Sequence, residues 1–81
     1  MKLRIQLYSY FKEIAGAPFV DVELSEAATV SEMLDEIGRL HPRLGEARRS
    51  TLVAVGVEYA SQEQTLKQGD EVSLFPPVQG G

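Results

Sequence analysis

Between Lys2 and Ser9 the chain alternates: Leu3, Ile5 and Leu7 fall on one side, and Lys2, Arg4, Gln6 and Tyr8 on the other. A period of two marks a strand with one buried face. The alternation lapses through Tyr10-Phe11-Lys12-Glu13-Ile14-Ala15, and Gly16-Ala17-Pro18 forms a turn cluster. It resumes from Phe19 to Leu24, with Val20, Val22 and Leu24 inward and Asp21 and Glu23 outward. Two strands so close in sequence predict an antiparallel hairpin with an elaborated loop.

Thr29-Val30-Ser31-Glu32 has the form of a capping box, which predicts a helix start at that point. Val30, Met33, Leu34, Ile37 and Leu40 then recur at helical spacing, with Glu32, Asp35, Glu36 and Arg39 on or near the opposite face. His41-Pro42 ends the helix, because a residue before proline is pushed out of the α region. Pro42 to Arg49, interrupted by Gly45, reads as a loop or one more helical turn. Leu52 to Val57 is apolar on both faces, as in a strand covered on each side or central in its sheet. A polar connection, Glu58 to Gln64, holds Tyr59 and has room for a short strand. After a turn at Leu66 to Asp70, Glu71 to Phe75 forms the last strand, with Val72 and Leu74 inward and Phe75 opposite.

Pro76-Pro77 removes two ladder donors, so the last six residues are expected to leave the sheet and project from the body. The predicted organisation is a single α+β domain over residues 1–75 with an extended tail over 76–81. A mixed sheet of four to five strands on one main helix is the layered solution that buries the helix stripe. That is the β-grasp, or ubiquitin-like, arrangement.

Composition narrows the reading. Eighty-one residues support one core, since chains of this size bury only about 60 to 65% of the surface that the unfolded form exposes. With 43% hydrophobic and 25% charged residues the chain lies in the range of folded globular domains. It has no cysteine, which excludes disulfides and thiolate zinc sites. Eight basic against twelve acidic residues give a formal charge of −4, which argues against nucleic acid or an anionic membrane as partner and for a basic one. The first residues alternate rather than form an apolar leader. No apolar run approaches the roughly 20 residues of a membrane span, and a cytoplasmic location is expected.

The body shows no self-contained active site. Nucleophilic catalysis lacks both a cysteine and a base, since the one imidazole, His41, abuts a proline at a helix end, where the C-terminal carbonyls favour it. One histidine with scattered carboxylates does not make a metal centre, so no metal is expected. Asp35 and Glu36 read as a solvated helix face, Asp70-Glu71 as a turn entering a strand, and Arg48-Arg49 as a solvated basic pair. The tail is different. Gly80-Gly81 carries the terminal carboxylate on backbone without Cβ atoms, which passes through a narrow channel without side-chain clash. Pro76-Pro77 keeps the approach extended with little entropy left to lose on docking. Six residues from Pro76 reach at most about 20 Å. A diglycine end is also simply how a frayed terminus looks.

The run Gly69-Asp70-Glu71-Val72-Ser73-Leu74-Phe75-Pro76-Pro77-Val78-Gln79-Gly80-Gly81 resembles the C-terminal motif of the molybdopterin synthase small-subunit family, whose length and element order this chain shares. Phe11 to Gly16 and Thr29 to Leu34 resemble further stretches of it. One position departs: the family often has asparagine where this chain has Gly56, which bears on a local turn.

The resemblance implies a carrier cycle. A ubiquitin-activating-type adenylyltransferase, using ATP and magnesium, adenylates Gly81, and a sulfur donor converts the adenylate to a thiocarboxylate. The large synthase subunit, the partner in a heterotetramer, takes in the tail (Pro76, Pro77, Val78, Gln79, Gly80), and sulfur passes to a cyclic pterin phosphate. The chain itself is then a non-catalytic sulfur donor that binds no cofactor, and the active site lies on the large subunit. Phe75, Tyr8 and Tyr59 match positions that carry apolar residues at the family's subunit interface, and aromatics are good anchors. Three alternatives remain open: a carrier for thiamine or another pathway, a protein modifier conjugated to lysine through Gly81, or a ubiquitin-like interaction domain with an inert tail.

Overall fold

In the computed structural model, which describes residues 1–77, the alternation of the first segment becomes β1 (Lys2–Leu7), whose residues are exposed and buried by turns. It pairs antiparallel with β2 (Phe19–Glu23), Leu3 opposite Val22 and Ile5 opposite Val20, so the apolar members of both strands share one face. Between them the elaborated loop contains a six-residue helix, α1 (Tyr10–Ala15), where the alternation lapses. Phe11, buried to 1% exposure, anchors it to the core, and Gly16 closes it in the left-handed region.

The main helix, α2 (Val30–Leu40), begins at the anticipated capping box. The Glu32 amide donates to the Thr29 hydroxyl (3.2 Å), and the Thr29 amide donates to the Glu32 carboxylate (3.0 Å). The next amides, Val30 and Ser31, donate to the carbonyls of Gln64 and Gln62, which ties the late polar connection to the helix start. Val30, Met33, Leu34 and Ile37 are buried. His41 stops α2 and precedes the short helix α3 (Pro42–Gly45), followed by a 3₁₀ turn at Arg48–Ser50. Gly45 is no break. A Cβ there would lie 3.0 Å from the Gly38 Cα, so the two glycines let α2 and α3 meet backbone to backbone. Arg48, expected in solvent, instead reaches α2: its Nη2 donates to the Ser31 carbonyl (3.0 Å) and hydroxyl (2.8 Å) and lies 3.2 Å from the Asp35 carboxylate. Glu36 and Arg39 form an exposed ion pair; the hydrogen bond from Arg39 lowers the pKa of Glu36 from its ordinary value.

The apolar run beginning at Leu52 is shorter than anticipated. Strand β3 (Leu52–Val55) stops at Gly56, whose φ of +65° turns the chain into the two-residue β4 (Glu58–Tyr59). Asparagine is the side-chain-bearing residue that best tolerates that conformation, so Gly56 preserves the turn. β3 is interior to the sheet, with Val53 and Ala54 buried; Val57, assigned to the strand by pattern, is at the turn and fully exposed. Strand β5 (Val72–Phe75) enters between β1 and β3, parallel to the first and antiparallel to the second, giving the order β2-β1-β5-β3-β4. A five-stranded mixed sheet packed on one main helix is the β-grasp. Its core lies between the sheet's inner face and α2, where Ile5, Val30, Met33 and Val72 have no exposed surface. Among the described residues no helix is long and apolar enough to cross a membrane.

Candidate functional site

The register decides what the outer face of the sheet carries. Val53 opposite Leu74 and Val55 opposite Val72 point inward, so Leu52 opposite Phe75 and Ala54 opposite Ser73 point outward. The antiparallel pairing of Ala54 with Tyr59 brings the tyrosine to the same outer row. Tyr8 follows the last residue of β1 and keeps strand-like contact, its amide donating to the Leu74 carbonyl at 3.2 Å. Its ring lies on that of Phe75, centroids 4.7 Å apart and planes 13° from parallel. Near-parallel rings at this separation are offset-stacked, a geometry worth roughly 0.5–1.5 kcal/mol beyond the area it buries.

Tyr8, Phe75 and Tyr59, the three aromatic positions singled out in the sequence, therefore border one shallow groove floored by Ala54 and Ser73. Tyr59 is 72% exposed and Tyr8 43%. Val57, missed because it ended an unbroken apolar run, completes the rim with its whole side chain in solvent. The signal for it was Gly56, which breaks the run one residue earlier. An exposed apolar patch with aromatic members and a neighbouring chain exit is the composition of a protein-docking surface.

The other half of the outer face is polar and closed on itself. Arg4 holds Asp21 through two hydrogen bonds, 2.9 Å and 3.2 Å, and its guanidinium lies 3.8 Å from the centre of the Phe19 ring. That hydrogen bond lowers the pKa of the Asp21 carboxyl from its ordinary value. Lys2 and Glu23 form a looser pair at 3.7 Å.

Pro76 and Pro77 continue from Phe75 beyond the final register pair and are half-buried. The remaining tail residues singled out in the sequence, Val78, Gln79, Gly80 and Gly81, lie outside the described residues. Among the described residues no three ligating side chains converge as a metal would require. His41 is the hinge between α2 and α3, its amide donating to the Ile37 carbonyl at 2.7 Å.

A family model described as the ThiS family matches residues 5–81. The chain is 30% identical to the molybdopterin synthase sulfur carrier subunit of Chlamydomonas reinhardtii, with the whole of both chains covered. It is 34% identical to small archaeal modifier protein 1 of Haloferax volcanii, covering 94% of this chain and 97% of the relative. The crystal structure of SAMP1 from Haloferax volcanii superposes with a TM-score of 0.85 at 31% identity, covering both chains completely. Fold and sequence agree, and the chain belongs to the ThiS family.

Proposed function

We propose that this chain is a sulfur carrier of molybdenum-cofactor assembly, with the Gly81 carboxylate as its working group and the Tyr8, Phe75 and Tyr59 face as its grip on partners. The observation that carries the reading is the convergence of that bare apolar face on β5, the strand that runs into Pro76-Pro77, within a family match extending through Gly81. Relatives named molybdopterin synthase sulfur carrier subunits support the pathway.

In this cycle the carboxylate attacks the α-phosphate of ATP on a ubiquitin-activating-type adenylyltransferase, and pyrophosphate leaves. Hydrosulfide supplied by the sulfur donor then attacks the acyl carbon, the acyl–phosphate bond breaks, AMP departs, and a thiocarboxylate remains. The large synthase subunit receives the tail, sulfur passes to the cyclic pterin phosphate, and hydrolysis of the acyl group restores the carboxylate. ATP and magnesium belong to the activating partner, and the whole cycle is cytoplasmic. A free carboxylate is a poor electrophile, and this chain's part is to hold its end out while the sheet face docks.

A second reading, a protein modifier joined to lysine through Gly81, is favoured by the similarity to small archaeal modifier protein 1. Incubation with the adenylyltransferase, magnesium-ATP and a sulfur source, followed by intact mass, separates the two. Exchange of one oxygen for sulfur is the expected result. Lysine conjugates without that exchange support the modifier, and an unchanged mass contradicts both.

A further inference from the structure

Ser9 has φ +58° and ψ −141°, a backbone conformation that glycine adopts freely and serine does not. Nothing local compensates: the residue stands at the N-terminus of α1, yet its hydroxyl makes no capping bond. The surrounding backbone nevertheless holds it in place. On one side the Leu7 amide donates to the Pro18 carbonyl (2.9 Å) and the Tyr8 amide to Leu74 (3.2 Å); on the other, the Phe11 and Lys12 amides donate to the carbonyls of Tyr8 (3.3 Å) and Ser9 (3.2 Å).

What the strain achieves follows from the residues on each side. Leu7 is buried on the inner face, and Phe11, four residues on, must return to the core. Tyr8 lies between them, still attached to β5 and with its ring outward on Phe75. Extended backbone at residue 9 would carry Phe11 away from the core, and ending the strand at Leu7 would take Tyr8 off β5. A reversal with positive φ satisfies both.

We propose that Ser9 is a positioning residue for the docking face: its constrained backbone fixes Tyr8 on Phe75 at the base of the tail. The inference rests on the reading of that face as the grip on the large subunit. Glycine at this position relieves the strain but also opens further backbone conformations, so the stacked arrangement becomes one of several. Ser9→Ala keeps the Cβ and the constraint, and discards only a hydroxyl that makes no cap.

The test measures thermal midpoint, Tyr8–Phe75 ring proximity by NMR, and affinity for the large synthase subunit in Ser9→Gly, Ser9→Ala and Tyr8→Ala. Expected for Ser9→Gly is an unchanged or higher midpoint, weaker ring contact and a Kd raised about threefold, as when the competent conformer falls to a third of the population. Ser9→Ala retains wild-type ring contact and affinity. If Ser9→Gly binds as tightly as wild type while Tyr8→Ala binds weakly, the Ser9 inference is overturned and the docking reading survives. If Tyr8→Ala also binds normally, the docking reading itself falls. A loss in Ser9→Ala as large as in Ser9→Gly assigns the effect to the hydroxyl and likewise overturns the proposal.

Discussion

The two halves of the outer sheet face are built on the same pleat yet treat their surface in opposite ways. On β2 and β1 four of the outward residues are charged and pair within the chain, Arg4 with Asp21 and Lys2 with Glu23, while the Phe19 ring lies under the Arg4 guanidinium. On β5, β3 and β4 the outward residues are Phe75, Ser73, Leu52, Ala54 and Tyr59, all uncharged, with Tyr8 and Val57 at the rim. The first half is content in water, and it also blunts an edge strand with charge. The second leaves apolar surface exposed where the tail departs, a cost that only a partner's surface removes. On the proposed reading, one face of one sheet separates solubility from recognition.

The largest effect that separates the halves is expected from Phe75→Glu. Charge at the centre of the patch would remove about 2–4 kcal/mol of binding to the large subunit, the range of an interface hot spot, measurable by calorimetry. Because Phe75 is only half-buried, the fold survives, and an unchanged circular dichroism spectrum is the control. Tyr59→Ala ranks next, with binding weaker by about 1–2 kcal/mol and stability within about 0.5 kcal/mol of wild type, as for other exposed positions. Val57→Ser, at a fully exposed residue, weakens binding by about 1 kcal/mol or less without moving the thermal midpoint. A Val57→Ser protein that binds normally would confine the patch to its aromatic members.

Much of this architecture is legible in the residues themselves, and the misses share a cause. The β1 and β2 pairing follows from period-two alternation, and the start of α2 from Thr29 and Glu32, because each is a local rule acting on adjacent residues. Helix α1 was opaque: six residues are too few to show a helical period, and its reason for existing is the distant burial of Phe11. Arg48 looked like surface charge because its partners, Ser31 and Asp35, are brought close only by the packing of α2 on the following turns. The aromatic trio was legible as separate outward positions, but their meeting in one groove depends on β5 inserting between β1 and β3. Ser9 gave no sign, since strain appears only when the tertiary contacts on both sides are satisfied together.

The polar half offers the smallest effect and a pH signature. Asp21 titrates below its unfolded value of about 3.9 because Arg4 stabilises its charged form. The resulting stabilisation is fully present above the unfolded pKa and is lost as pH falls through the folded one. Asp21→Asn therefore flattens the acid limb of the stability profile, with little change near neutrality at moderate salt, where an exposed pair contributes little, and with unaltered docking. Docking that weakens in Asp21→Asn would mean that the two halves act as one surface.

The central claim is that the carboxylate of Gly81, presented by this grip, is the group that carries sulfur. The direct measurement is molybdopterin formation from the cyclic pterin precursor, reconstituted with the large subunit, the adenylyltransferase, magnesium-ATP and a sulfur source, comparing the full chain with one shortened by Gly80 and Gly81. The account predicts product from the full chain and none from the shortened one, although the shortened chain still binds the large subunit through Phe75 and Tyr59. Product from the shortened chain at the full-length rate would contradict it.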